Sequence, residues 1–133
     1  AVQGVARAAI ADGALRSAHD CADGGLMVAL AESCLAGGKG AEVRFAISDF
    51  GDQPWSAILF GEAASRIVVT VPEGGPEQAR LLDLAEVAGI EAVFVGQVKD
   101  NGRLDAAGLL DLPLSALRDA YEGAIPDAMA GTL

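Results

Sequence analysis

The stretch Ser17-Ala18-His19-Asp20-Cys21-Ala22-Asp23-Gly24-Gly25-Leu26-Met27-Val28-Ala29-Leu30-Ala31-Glu32 decides how the chain is built. Leu15 to Cys21 is short and reads as a buried strand. Asp23-Gly24-Gly25 interrupts it. Leu26, Leu30 and Cys34 then recur at i, i+4 and i+8, which places them on one helical face with Met27 at its border. A strand, a glycine turn and a helix in this order form the unit around which the rest is arranged.

Upstream, Val2, Val5, Ala9 and Ile10 form a helical stripe that Asp12-Gly13 ends. Downstream, Gly37-Gly38-Lys39-Gly40 ends the second helix. Ala41 to Ile47 alternates Val43, Phe45 and Ile47 with Glu42, Arg44 and Ala46, a strand with one wet face. Ser48 to Ser56 reads as a loop that carries Trp55. The pattern of Ile58 to Ala64 does not choose between a helical turn and an irregular segment. Arg66 to Val71 is β-branched and nearly unbroken, the signature of a buried central strand. Glu77 to Ala88 is an amphipathic helix. Ala92 to Val98 is a second buried strand, and Asp100-Asn101-Gly102 signals a hairpin into a short return strand within Arg103 to Leu112. Leu114, Leu117 and Tyr121 mark a last helix that Ile125-Pro126 stops. The fold class is therefore α+β, a mixed β-sheet with helices packed against it.

The chain has 133 residues, with 9 Lys+Arg against 19 Asp+Glu and a net charge of -10. Compact domains most often hold ~100–150 residues, so residues 1–133 read as a single domain. The acidic balance argues against nucleic acid and anionic membrane as partners, since both need basic surface. It leaves room for a nucleotide, whose phosphates can be held by backbone N–H groups and a metal ion. No apolar run approaches the ~20 residues that span a bilayer. The first residues lack the basic start and apolar centre of a signal peptide. Cys21 and Cys34 fit neither a disulfide framework nor a zinc pattern. They read as reduced small hydrophobes in a cytoplasmic protein. The chain begins with Ala inside a helical pattern, as a segment of a longer polypeptide would.

Two clusters could carry chemistry. The first holds the only His, His19, with Asp20, Asp23, Gly24 and Gly25. Glycines at a helix start let a phosphate approach backbone donors. Asp20 or Asp23 could hold a Mg²⁺ through one or two oxygens. Asp23 could equally serve as a helix cap, and His19 as a structural residue; from spacing alone these plainer roles lead. The second cluster is Phe60-Gly61-Glu62-Ala63-Ala64-Ser65-Arg66. An ionised Arg66 at the mouth of a buried strand needs a partner, and Glu62 is the nearest candidate. That pair is either structural or the edge of a ligand cleft. Asp83, Glu86, Asp119 and Glu122 read as solvated helix acids. A single His and no nucleophile elbow leave no support for a catalytic triad.

His19-Asp20-Cys21-Ala22-Asp23-Gly24-Gly25-Leu26 through Glu32 resembles the His-Asp-x-Ser-Asp-Gly-Gly-Leu-x-x-x-Leu-x-Glu motif of the phosphoribosylformylglycinamidine synthase family. Leu59-Phe60-Gly61-Glu62-Ala63-Ala64-Ser65-Arg66 resembles the same family's Leu-Phe-Gly-Glu-x-x-Ser-Arg motif. Gly96-Gln97-Val98 and the tail Leu117 to Pro126 resemble its closing strand and helix. The likeness spans nearly the whole chain. It implies an aminoimidazole ribonucleotide (AIR) synthase-related C-terminal domain, partly like a ferredoxin fold. The parent enzyme would be an ATP-dependent ligase of purine biosynthesis. It makes formylglycinamidine ribonucleotide from formylglycinamide ribonucleotide, ATP and glutamine-derived ammonia.

Carried over to this sequence, the resemblance implies a nucleotide-binding role for His19, Asp20, Asp23, Gly24, Gly25, Glu62 and Arg66, with Asp20 on the metal and no catalytic residue in this chain. The implied cofactors are ATP or ADP with Mg²⁺. The implied partners are the remaining domains of the same enzyme, a glutaminase domain or subunit, and the ribonucleotide substrate. Ala22 stands where the family has Ser, which removes a hydroxyl that could meet a phosphate. Which of the family's nucleotide sites, catalytic or structural, the loop serves stays open. With only one wall of an ATP cleft, the 133-residue chain is expected not to turn over alone. The competing readings are another superfamily kinase or synthase domain and a non-catalytic module that docks a neighbouring domain.

Overall fold

The computed structural model describes residues 1–44, 51–106 and 108–131. Its elements run α1 (Val2–Ala11), β1 (Ser17–Asp20), α2 (Gly25–Gly37), β2 (Gly40–Val43), α3 (Trp55–Phe60), β3 (Ile67–Thr70), α4 (Pro76–Val87), β4 (Gly96–Lys99), β5 (Arg103–Ala106), β6 (Leu110–Pro113) and α5 (Leu114–Ala130). Helices and a mixed sheet make this the expected α+β class. The chain groups into two compact units, Ala1–Ala29 with Ile47–Val93, and Leu30–Ala46 with Phe94–Leu133.

In the first unit, β1 and β3 form a two-stranded antiparallel ribbon with Ser17 opposite Thr70 and Asp20 opposite Ile67. The Ser17 and Thr70 hydroxyls, 2.7 Å apart, join the ribbon across its open end. α1 packs on α4, and Arg80 reaches Asp12 just beyond α1 at 2.7 Å. Ala6, Ala9, Ala14, Cys21, Leu26, Met27, Ile58, Leu59 and Ala85 are buried. Small side chains at Ala6, Ala9 and Ala85 let α1 and α4 approach closely, while Leu26, Met27, Ile58 and Leu59 supply the larger buried groups.

Three readings change here. Ile67-Val68-Val69-Thr70 is not a buried central strand. Among the described residues it pairs only with β1, and it is half-buried along its length, since β-branched residues suit any pleated, half-covered surface. β1 itself is mostly exposed rather than buried. Ile10, expected in the inward stripe of α1, is 55% exposed.

In the second unit the strand order is β4-β2-β5-β6. β2 pairs antiparallel with β4 and parallel with β5, and β5 pairs antiparallel with β6. Val43 and Ala41 point inward and Glu42 is part-exposed, as the alternation predicted; Phe45 and Ile47 lie outside the described residues. Leu104 on β5 is the largest fully buried side chain.

The Asp100-Asn101-Gly102 turn does not close a hairpin, because β2 lies between β4 and β5. Gly40 opens β2 at that turn, and a Cβ there would overlap the Asn101 side chain and the Arg103 backbone. Only a residue without a side chain admits a third chain so close to the turn. The second buried strand shortens to Gly96–Lys99 at the sheet edge, with Phe94 before it exposed.

α5 runs through Pro126 to Ala130 and ends at Gly131 in the left-handed conformation, whose N–H meets the Ala128 and Asp127 carbonyls. Pro126 removes one helical hydrogen bond, but a glycine cap, not the proline, ends the helix. Among the described residues no helix is long and apolar enough to cross a membrane.

Candidate nucleotide-side site

The first unit brings the two sequence motifs together. Asp23-Gly24-Gly25 turns the chain from β1 into α2, with φ +76° at Gly24 and +72° at Gly25. The Gly24 N–H donates to Glu62 Oε1 at 3.0 Å. Gly25 is buried against the Phe60–Gly61 backbone; a Cβ there would sit 2.6 Å from the Phe60 carbonyl carbon. The Cys21 N–H donates to the Arg66 carbonyl at 3.1 Å, which extends the β1–β3 pairing by one bond. The first motif's turn is thus seated on the second motif's backbone.

Arg66 does something other than pair with Glu62. Its guanidinium donates to the Ile58 carbonyl at 2.7 Å and the Gly61 carbonyl at 3.2 Å. These belong to the last turn of α3 and the residue that follows it, where carbonyls lack helical partners and a cation is favoured. Ser65, at φ +68°, makes the turn that aims the Arg66 side chain back at α3. The expected Glu62–Arg66 ion pair is therefore replaced by three separate bonds, one from the Gly24 N–H to Glu62 and two from Arg66 to the Ile58 and Gly61 carbonyls. An Arg finds enough acceptors in exposed helix-end carbonyls, and a four-residue spacing outside a helix does not bring two side chains together.

His19 and Asp20 lie at the end of β1. His19 Nδ1 is 2.7 Å from the Asp20 carbonyl and 3.9 Å from its carboxylate. The Asp20 side chain is 71% exposed, and the pairing register sets it opposite Ile67. Asp23 and Glu62 are also exposed. Among the described residues no Lys or Arg pairs with Asp20, and its exposed carboxylate has only the long His19 contact. Among the described residues no three His, Cys, Asp or Glu side chains gather as a metal cage. The donor set fits a cation that takes one carboxylate and keeps its waters, the usual habit of phosphate-associated Mg²⁺.

A groove of about 330 Å³ borders Asp20. Its walls are Gln3, Ala6, Arg7 and Ile10 on α1, and Ala18, His19, Asp20 and Ile67 on the ribbon. Arg7 was not among the residues singled out from the sequence. The available signal was the helical period itself, which sets Gln3, Ala6, Arg7 and Ile10 at i, i+3, i+4 and i+7 on one face.

Cys21 and Cys34 are both buried and both free. Burial pushes each thiol above its ordinary pKa; at Cys21 the nearby Arg66 charge offsets part of this. The folded state therefore disfavours the thiolates. Stability is undiminished below the ordinary thiol range and falls as pH rises through it, because the unfolded chain ionises first. The native chain at pH 8 is expected to react with neither cysteine in an aromatic disulfide assay, and with both once urea unfolds it. Fast native labelling of Cys21 would contradict its burial.

This arrangement defines a class. A ribbon, a glycine turn and a helix start are packed on the loop that follows α3, with Asp20, Asp23 and Glu62 exposed around them. Residues 1–108 match the family model described as AIR synthase related protein, C-terminal domain, and the chain belongs to that family. Within it, the chain is 44% identical over 136 residues to the phosphoribosylformylglycinamidine synthase subunit PurL of Synechococcus sp. (strain JA-3-3Ab), covering 95% of this chain and 17% of that protein. It is 42% identical over 134 residues to the PurL subunit of Moorella thermoacetica, covering 98% of this chain and 17% of that one. The chain thus spans about a sixth of the length of these relatives. Among solved structures, T. maritima PurL complexed with FGAR aligns at a TM-score of 0.68 with 25% identity, over 87% of this chain and 20% of that chain. T. maritima PurL complexed with ATP aligns at 0.69 with 24% identity, over 87% and 21%, a likeness of fold.

Proposed function

We propose that this chain is the C-terminal domain of a phosphoribosylformylglycinamidine synthase and supplies one wall of a Mg²⁺–nucleotide cleft. The observation that carries this reading is the seating of the Asp23-Gly24-Gly25 turn on the Phe60-Gly61-Glu62 segment, with the Asp20 carboxylate left exposed beside it. The sequence relatives and the family membership support the same assignment.

In this reading residues 1–133 act as one domain of a larger, cytoplasmic enzyme. Asp20 takes the Mg²⁺ that accompanies ATP or ADP, and the ion, when bound, neutralises phosphate charge. Asp23 and His19 flank it. Glu62 fixes the turn through the Gly24 N–H, and Gly25 lets the turn sit low on α3. Arg66 holds the α3 end in place. Gly24 has its N–H engaged by Glu62, so its part is to shape the wall rather than to donate to phosphate. The remaining domains supply the other wall and the formylglycinamide ribonucleotide site, and a glutaminase domain or subunit supplies ammonia.

The test is an ATP-dependent, ammonia-supported assay for formylglycinamidine ribonucleotide. The 133-residue chain is expected to give no turnover, and the intact polypeptide that contains it is expected to turn over. Product from the chain alone would contradict the one-wall reading. An intact polypeptide that makes no such product would contradict the assignment to this reaction.

A further inference from the structure

Every Lys and Arg of the chain lies among the described residues, and all but Arg7 hold a carboxylate or a backbone carbonyl. This is unexpected in a chain with 19 acids and 9 bases, where a carboxylate partner is abundant. Arg7 is exposed on α1 and lines the same groove as His19 and Asp20. No ion pair joins Arg7 to Asp20. The groove therefore offers a cation and an anion on separate walls, over an apolar floor that includes Ala6, Ile10 and Ile67. The groove is shallow and open to solvent, so a ligand there would be held by its charged rim rather than enclosed.

A ligand that satisfies both walls carries negative charge at one point and a cation or hydroxyl donors at another. A Mg²⁺–nucleoside diphosphate has this pattern, with the ion on the Asp20 side and a phosphate oxygen free for a guanidinium. Arg suits that oxygen because its planar N–H fork matches phosphate geometry. We propose that Arg7 binds a phosphate oxygen of the Mg²⁺–nucleotide held at Asp20, and so is a binding residue of this wall. The inference rests on the nucleotide reading of Asp20 and adds to it a residue from a different element.

The test is a titration followed by backbone amide NMR of the 133-residue chain with MgADP, and separately with adenosine. Wild type, Arg7→Gln, Arg7→Lys and Asp20→Asn are compared, and the dispersion of each spectrum confirms folding. Wild type is expected to show MgADP-dependent shifts at Ala18, His19 and Asp20 in the millimolar range. Arg7→Gln is expected to raise the MgADP Kd about tenfold or more, since charge-assisted bonds are roughly twice as strong as neutral ones. Arg7→Lys is expected to recover part of that loss, and adenosine is expected to be indifferent to either variant. If Arg7→Gln matches wild type while Asp20→Asn weakens MgADP, the Arg7 inference is overturned and the nucleotide reading stands. If wild type shows no MgADP-dependent shift at all, the Arg7 inference falls, and the nucleotide reading is then decided separately by MgADP titration of the intact polypeptide.

Discussion

Gly25→Ala is expected to destabilise the chain by about 2–5 kcal/mol in urea denaturation. Two costs combine. A non-glycine residue in the left-handed region costs about 1–2 kcal/mol. Forcing a methyl into a packed contact costs about 1–3 kcal/mol more. Here the methyl would lie 2.6 Å from the Phe60 carbonyl carbon and 2.8 Å from its Cα. The obstacle is backbone, which cannot rotate away as a flexible side chain can. Gly13→Ala separates the two costs. Gly13 has φ +70° and open space around its Cβ position, so only the first cost, about 1–2 kcal/mol, is expected there. Equal losses at Gly25 and Gly13 would mean that the two motifs do not pack as described.

Arg66→Met is expected to cost about 2–4 kcal/mol by the same measurement. Methionine keeps much of the apolar stem, so the change isolates the guanidinium. Its two bonds, to the Ile58 and Gly61 carbonyls, are part-buried. Hydrogen bonds to charged groups contribute about 1.5–3 kcal/mol each, and removing one partner leaves the other to find water. The Gly61 carbonyl belongs to the residue whose backbone supports Gly25, so the variant is also expected to loosen the seat of the glycine turn. Slower-exchanging amides at Gly24 and Gly25 in wild type should become fast in Arg66→Met. A loss under about 0.5 kcal/mol, the range of neutral surface changes, would show that water already serves these carbonyls.

The sequence made local features legible and left non-local pairing hidden. α1, α2 and α4 follow from helical periodicity to within a residue or two, since that period is a property of one segment. β2 follows from alternation for the same reason. The place of a strand in a sheet does not. Ile67-Val68-Val69-Thr70 reads as central because it is β-branched, yet its burial depends on neighbours that only the folded chain supplies. Asp100-Asn101-Gly102 reads as a hairpin because the turn is local, while β2, some 60 residues earlier in the chain, takes the space between the arms. α3 and β6 are too short for a period to show. The motifs singled out His19, Asp20, Asp23, Gly24, Gly25, Glu62 and Arg66, and the fold brings the Gly24-Gly25 turn against Phe60, Gly61 and Glu62. Spacing alone misassigned the partner of Arg66, since a helix-end carbonyl leaves no mark in sequence. Arg7 escaped notice because its significance lies in what it does not pair with.

The account stands on Asp20 as the metal-side residue of a shared nucleotide cleft. Calorimetric titration of MgADP into the intact polypeptide, as wild type and as Asp20→Asn, tests this most directly. The account predicts that one MgADP binding event weakens about tenfold or more in Asp20→Asn while the thermal stability of the protein changes by little, because Asp20 is exposed and its one ion-pair neighbour among the described residues, His19 at 3.9 Å, is long and solvent-facing. Identical MgADP isotherms for the two proteins would contradict it.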